Sequence, residues 1–148
     1  MTNEGVTELW RQHRAGQDKY TYFLLAAAAS AVAFSVQKTE GLVISVQLIP
    51  VGVAVLCWGL SFYFGCKNLI WVQVSLLANY GLLQLRHGTH PEQPGHPQLK
   101  DAAIRGVSSA LKKNTSKAAL YAVLQFRFLI GGALFFIGWH VWRLFSNE

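Results

Sequence analysis

Three histidines in one short segment are the residues of this chain whose type and spacing could hold a metal ion. The segment 87–98 contains His87, His90 and His96 beside Glu92, and its three prolines and two glycines predict an irregular loop. Structural zinc sites usually take their ligands from a rigid frame, often with cysteine. We therefore predict a solvated loop and no bound metal, and keep metal binding by the three histidines as the alternative.

Arg127 is the one charged residue in the stretch 118–142. In such a setting an arginine either extends to the membrane surface or faces a protein interior or an aqueous lumen. The sixteen helical steps from Arg127 to Arg143 cover roughly 24 Å, so the two side chains could reach opposite surfaces. The functional interpretation is a lumen in which Arg127 attracts anions. His140 and Gln47 are the other polar candidates for a pore.

The remaining reactive side chains do not form a catalytic set. Cys57 and Cys66 are nine positions apart in one apolar stretch, too far along a helix to form a disulfide. No nucleophile, base and orienting group occur together in a recognisable pattern. We predict that the protein is not an enzyme and needs no cofactor.

The elements that carry these residues are three long apolar stretches, at about 20–37, 42–66 and 122–145. About 20 apolar residues of helix cross a bilayer, and a helix satisfies its own backbone hydrogen bonds there. Only 14% of the residues are charged, against about 25% in soluble proteins. We predict an all-α, multi-pass integral membrane protein of the cell membrane (the inner membrane in a bacterium), with residues 1–148 forming a single helical membrane domain.

The basic residues predict the orientation of these spans. With three spans and a cytoplasmic N-terminus, ten of the 13 lysines and arginines lie on the cytoplasmic side, Lys38 and Arg143 lie outside, and Arg127 is within a span. This is the asymmetry expected from the positive-inside rule. The alternative has four spans, with 68–85 crossing the membrane after a turn at 65–68, and it reverses the asymmetry. We predict three spans.

The three-span topology leaves about 67–117 as a cytoplasmic helical region. The second helix would then be nearly continuous from 42 to 85, and its apolar extension needs a covering partner. Residues 99–113 predict an amphipathic helix with apolar residues on one side. We expect a break at 114–116, where Thr115 or Ser116 could cap the last helix.

Two local features of the spans are also predicted. Lys38, Thr39, Glu40 and Gly41 form a polar connection in which the glycine suits a non-helical conformation. Pro50 is expected to kink the second helix or to leave a carbonyl near Val46 without its hydrogen-bond donor.

Small and basic residues indicate where other molecules could bind. Small residues let helices approach closely in lipid. The candidate helix-packing residues are Ala27, Ser30, Ala31, Gly131, Gly132 and Gly138. The candidate residues for a partner or a lipid headgroup are Lys100, Arg105, Lys112 and Lys113. We expect membrane lipids, copies of the chain and a cytoplasmic protein as partners, and no nucleic acid, because the net charge of +6 follows from topology and the basic residues lack interleaved aromatics.

Three function classes agree with these features. The first is a homo-oligomeric membrane assembly, a pore or a membrane-perturbing effector, which the intramembrane arginine and the apolar extension favour. The second is an accessory or scaffold subunit that anchors a cytoplasmic partner through the basic region 86–117. The third is a membrane enzyme with a metal site in the histidine loop.

Overall fold

Three long helices make up the chain. The computed structural model describes residues 3–42 and 45–146, and within them there is no β-strand. The helices are α1 (Asn3–Thr39), α2 (Ile49–His87) and α3 (Pro97–Ser146), and a short 3-10 turn (Val46–Leu48) precedes α2. Each helix contains a stretch long enough and apolar enough to cross a membrane. The all-helical prediction with three candidate spans is confirmed at this level.

The α2 helix runs without interruption through residues 65–68. The four-span alternative required a turn at that place, so the described chain contains three long helices rather than four. The long second helix predicted from the sequence is present.

The connection between α1 and α2 is longer than predicted, because α1 ends at Thr39 and α2 begins at Ile49 instead of Leu42. Gly41 has a φ of 77°, and the N–H of Leu42 donates to the carbonyl of Thr39 over 3.1 Å, as a glycine-containing turn requires. The predicted kink at Pro50 is wrong. Because α2 begins at Ile49, Pro50 lies in the first turn, where a backbone N–H would have no acceptor within the helix.

The connection between α2 and α3 is a loop over residues 88–96. Gly88 has a φ of 76°, and the N–H of Thr89 donates to the carbonyl of Gln84 over 3.0 Å, which closes the end of α2. The side-chain amide of Gln93 donates to the carbonyl of Leu85 over 3.4 Å and ties the loop to the helix.

The α3 helix is continuous, so the predicted break at 114–116 is wrong and 99–113 is part of a helix of 50 residues. The hydroxyl of Thr115 donates to the carbonyl of Leu111 over 3.0 Å, and that of Ser116 to the carbonyl of Lys112 over 2.9 Å. Such bonds one turn back place serine and threonine inside a helix instead of at its start.

The chain divides into two compact units. Unit 1 comprises Met1–Gly65 and Ala122–Glu148, and unit 2 comprises Cys66–Tyr121. Unit 1 contains most of each apolar stretch, whereas unit 2 is a helical hairpin closed by the loop 88–96. Unit 2 covers nearly the same residues as the predicted cytoplasmic region.

The core of unit 1 is narrow and follows a seven-residue repeat. Buried residues of α1 and α3 stand seven positions apart: Thr21, Ala28 and Ser35 in α1, and Gln125, Gly132 and Trp139 in α3. The buried residues of α2 in this unit stand three or four positions apart: Val51, Ala54, Trp58, Ser61 and Gly65. A repeat of seven with three- and four-residue steps is typical of helices that pack with knobs in holes. Many of these residues are small, so the helix backbones approach closely.

Candidate functional site

A layer of uncharged polar groups crosses the core of unit 1. Gln125 is only 1% exposed and Ser61 is fully buried. The Ser61 hydroxyl donates to the backbone carbonyl of Gln125 over 2.8 Å, and the Gln125 side-chain amide donates to the carbonyl of Thr21 over 3.5 Å. The layer therefore links all three helices through hydrogen bonds.

Because Gly65 has no side chain, it leaves space for the Gln125 side chain in this layer. A Cβ atom on Gly65 would lie 2.5 Å from Nε2 of Gln125 and 2.7 Å from a methyl carbon of Leu25. A side chain at this position would displace the glutamine from its place between the helices. A buried amide that keeps its hydrogen bonds stabilises a specific arrangement of helices, and it leaves no charge in the core.

A second contact in unit 1 joins α2 to α3 through Trp58. Its indole N–H donates to the carbonyl of Leu129 over 3.2 Å, and its ring centroid lies 5.7 Å from that of Phe136. A Cβ atom on Gly132 would lie 2.5 to 2.9 Å from three atoms of this indole. Gly132 therefore faces the core and provides the space for the tryptophan.

The other two glycines of α3 within unit 1, Gly131 and Gly138, face away from that core. A Cβ atom on Gly131 or Gly138 would meet no atom within 4 Å. Arg127 is exposed and lies two residues after the buried Gln125, which is roughly 200° around the helix. Leu134 is 65% exposed on the same side. We call Arg127, Gly131, Leu134 and Gly138 the outer face of α3.

The polar pore candidates do not converge on one point within the chain. Arg127 and His140 are both exposed and stand thirteen residues apart on α3, about 20 Å along the helix. Gln47 is exposed in the 3-10 turn before α2. The His140 ring lies beside Trp139, with ring centroids 6.4 Å apart, and the guanidinium of Arg143 lies 5.7 Å from the same indole centroid.

The small residues predicted on α1 occupy different environments. Ala27 and Ala31 are half-buried, whereas Ser30 is exposed. The fully buried small residues of this helix are Ala28 and Ser35, which the seven-residue repeat identifies.

Unit 2 carries a basic surface on α3. Six side chains of α3 line a shallow, open depression there. We call these six residues the lysine strip: Ser109, Lys112, Lys113, Ser116, Lys117 and Leu120. The ammonium of Lys117 lies 4.0 Å from the centroid of the Trp71 ring, close enough for a cation–π interaction. Two of the four predicted basic residues, Lys112 and Lys113, belong to this strip, whereas Lys100 and Arg105 lie outside it.

The histidine loop does not gather a set of metal ligands. Among the described residues, no group of three or more histidine, cysteine, aspartate or glutamate side chains is placed to hold a metal ion. The Nδ1 atoms of His90 and His96 accept local backbone hydrogen bonds, from the N–H of Glu92 over 3.2 Å and of Gln98 over 3.4 Å. Cys57 and Cys66 are half-buried free thiols.

Sequence reasoning missed the buried polar layer and the tryptophan contact. Residue type alone does not identify Ser61, Gln125 and Trp58 as buried. A serine, a glutamine and a tryptophan are also exposed elsewhere in the chain, at Ser30, Gln47 and Trp142. The signal that could have found them is the seven-residue spacing of Ala118, Gln125, Gly132 and Trp139, which is the buried set of α3.

Comparison of the chain with protein-family models, with characterised proteins and with solved structures finds no match.

Proposed function

We propose that this protein spans a membrane three times, with its N-terminus in the cytoplasm, and that copies of it assemble into a pore. The observation that carries the proposal is the position of Arg127, a charged and exposed residue on the outer face of α3. The assembly would place this face against other copies rather than against lipid.

The lengths of the uncharged segments support the membrane location. The helix from Lys19 to Lys38 covers roughly 29 Å, that from Ile49 to Lys67 roughly 27 Å, and that from Arg127 to Arg143 roughly 24 Å. All three lengths fit a hydrocarbon layer about 30 Å thick. Segments of similar length are expected if all three cross the same bilayer.

The low burial of these segments supports the same location. Only 28% of the most apolar window of α1, 28% of that of α2 and 11% of that of α3 are buried within the chain. Exposed apolar surface on this scale needs lipid or other protein to cover it. The value for α3 is lowest, so α3 has the most surface available to other copies.

The outer face of α3 favours contact between copies. An arginine near the centre of a membrane helix costs about 2.5–3.5 kcal/mol, and less where it reaches the surface. An aqueous lumen between copies removes this cost and attracts anions. Gly131 and Gly138 have open space around them, so another helix could approach closely beside Arg127.

The α2 part of unit 2 provides a second surface for the same assembly. Five of its exposed apolar residues follow one another at helical steps of three and four: Ile70, Val74, Leu77, Tyr80 and Leu83. Leu77 is 77% exposed and Tyr80 is 63% exposed. In the proposed topology this face lies in the cytoplasm, where a second copy would shield it from water.

The first test is the mass of the complex in mild detergent, measured by native mass spectrometry and sedimentation over a wide concentration range. We expect an oligomer that dissociates when Gly131 and Gly138 are both changed to leucine. The matched control is the change of Gly52 and Gly59 to leucine, because these two also have open space and stand seven residues apart on α2. A wild-type protein that stays monomeric contradicts the proposal.

The second test is the current through vesicles or planar bilayers under a salt gradient. We expect an anion-selective conductance whose reversal potential moves toward cation selectivity in Arg127→Glu and stays anion-selective in Arg127→Lys. A conductance that is identical in Arg127→Glu removes this residue from the lumen. An oligomer that conducts no ions and leaves vesicles intact contradicts a pore.

A further inference from the structure

We infer that the lysine strip of unit 2 binds the phosphate of an anionic phospholipid headgroup in the cytoplasmic leaflet. This inference rests on the membrane location proposed above, but it does not depend on assembly or on Arg127. It concerns a different part of α3, and its ligand is a lipid rather than another copy.

The side chains of the strip share one side of the helix. Ser109, Lys112, Ser116 and Leu120 follow one another at steps of three and four, which places them one above the other. Lys113 and Lys117 flank this row at the same spacing of four. Because the Ser116 hydroxyl donates to the carbonyl of Lys112 over 2.9 Å, a phosphate would be met by the three ammonium groups and the Ser109 hydroxyl.

Charge around the strip is positive over a long stretch of sequence. The chain contains no aspartate or glutamate between Asp101 and Glu148. The three ammonium groups therefore have no carboxylate on α3 nearby to neutralise them. An uncompensated cluster of lysines attracts anionic lipids when it stands at a membrane surface.

The pairing of Lys117 with Trp71 indicates such a surface. The ammonium lies 4.0 Å from the centroid of the indole, and Lys117 is half-buried. Tryptophan is enriched at the level of the headgroups, because its ring is apolar and its N–H is polar. This contact holds the end of the strip in place, so part of the ordering needed for a ligand already exists.

The sequence after Lys117 indicates that the strip stands at the headgroups. Lys117 is the last lysine before the apolar stretch 118–142. Basic residues that flank an apolar span usually lie among the headgroups at its end. Leu120, which is 57% exposed, lies one turn deeper and would contact the acyl chain.

The test measures lipid retention by the full-length protein. Purified protein in detergent is titrated with dioleoylphosphatidylglycerol or dioleoylphosphatidylcholine, and bound lipid is counted by native mass spectrometry. The test variant carries Lys112→Gln and Lys113→Gln. The matched control carries Lys100→Gln and Arg105→Gln, which removes the same charge from the same helix outside the strip.

We expect the wild-type protein to prefer the anionic lipid, and the test variant to lose about five-fold in affinity for each lysine removed. The control should keep most of the preference. Equal losses in the two variants, or no preference for phosphatidylglycerol in the wild-type protein, would overturn the inference. Release of the lipid by millimolar inorganic phosphate would show that the strip takes free phosphate instead.

Two further readouts separate the inference from the proposed function. Flotation of the protein with vesicles tests membrane location by itself, so a chain that floats without a lipid preference contradicts the inference alone. Oligomer mass in the lysine variant should equal that of the wild type. A protein that co-purifies from native membranes with the wild type and is lost from the lysine variant, while lipid retention is unchanged, would assign the strip to a protein partner.

Discussion

Replacing Gly132 with alanine tests the contact that joins α2 to α3. The new methyl carbon would lie 2.5, 2.7 and 2.9 Å from three atoms of the Trp58 indole. The indole cannot move far without losing its 3.2 Å hydrogen bond to the carbonyl of Leu129, and Trp58 is only 4% exposed. The methyl group must therefore push apart a well-filled interface.

The matched control is Gly59→Ala, a change in α2 beside the same tryptophan. Its Cβ would meet no atom within 4 Å. Both variants gain about 1 kcal/mol of helix propensity. Overpacking costs about 1–3 kcal/mol, and loss of an interhelical hydrogen bond in a membrane protein about 0.6 kcal/mol. Because the propensity gain cancels, we expect Gly132→Ala to be about 2–4 kcal/mol less stable than Gly59→Ala.

The measurement is reversible unfolding in mixed micelles of dodecyl maltoside and SDS, followed by tryptophan fluorescence. A double-mutant cycle with Trp58→Phe adds a second readout, since a smaller ring gives the methyl group room. In the Trp58→Phe background, Gly132→Ala should cost less than it does in the wild type. Equal stability of Gly132→Ala and Gly59→Ala would refute the packing of Trp58 on α3.

Two further outcomes follow from the same structure, and a third follows from the proposed topology. Ser61→Ala removes the 2.8 Å hydrogen bond to the carbonyl of Gln125 and should lower stability in the same assay by about 0.6 kcal/mol, whereas a stabilised variant would show that the bond contributes nothing. Pro50→Ala should change the free energy of unfolding by less than about 1 kcal/mol, because Pro50 lies in the first turn of α2; a gain near 3 kcal/mol, the cost of a proline inside a helix, would contradict that position. In a variant whose two native cysteines are serine, single cysteines at Lys38 and Lys100 should react with an impermeant thiol reagent from opposite sides of sealed vesicles, and labelling from one side would contradict three spans.

The all-helical class and the three candidate spans could be predicted from the sequence because they depend on composition averaged over long segments. A run of about 20 apolar residues identifies a candidate span whatever the order of its residues. The turn at Gly41 and the loop 88–96 could also be predicted, since glycine and proline act locally on the backbone.

The ends of the helices could not be placed from composition. The 3-10 turn Val46–Leu48 is as apolar as the helix that follows it, so hydropathy did not reveal that α2 begins at Ile49. The same difficulty explains the break expected at 114–116. Serine and threonine are favoured at helix starts, but their hydroxyls also bond to the preceding turn of a continuous helix.

The buried polar layer was hidden for a different reason. In a soluble protein, the polar side of a helix usually faces water, and the position of a polar residue indicates its environment. In a chain whose outside is as apolar as its inside, that relation fails. Gln125 and Arg127 stand two residues apart in the same apolar run, yet one is 1% exposed and the other is exposed. What distinguishes them is that Gln125 belongs to the buried series of α3 that repeats every seven residues, whereas Arg127 does not.

The contrast between buried uncharged polar residues and the exposed Arg127 indicates where the role of Arg127 lies. Two buried, uncharged polar side chains of unit 1, Gln125 and Ser61, donate hydrogen bonds to backbone carbonyls of other helices. The arginine lies on the opposite side of α3, so its charge is available to water, lipid headgroups or another copy. If the arginine only extends to the membrane surface, its exact position on the helix does not affect the passage of ions. An arginine in a lumen sets the sign of the permeant ion, so reversal of its charge distinguishes the two roles where its removal alone does not.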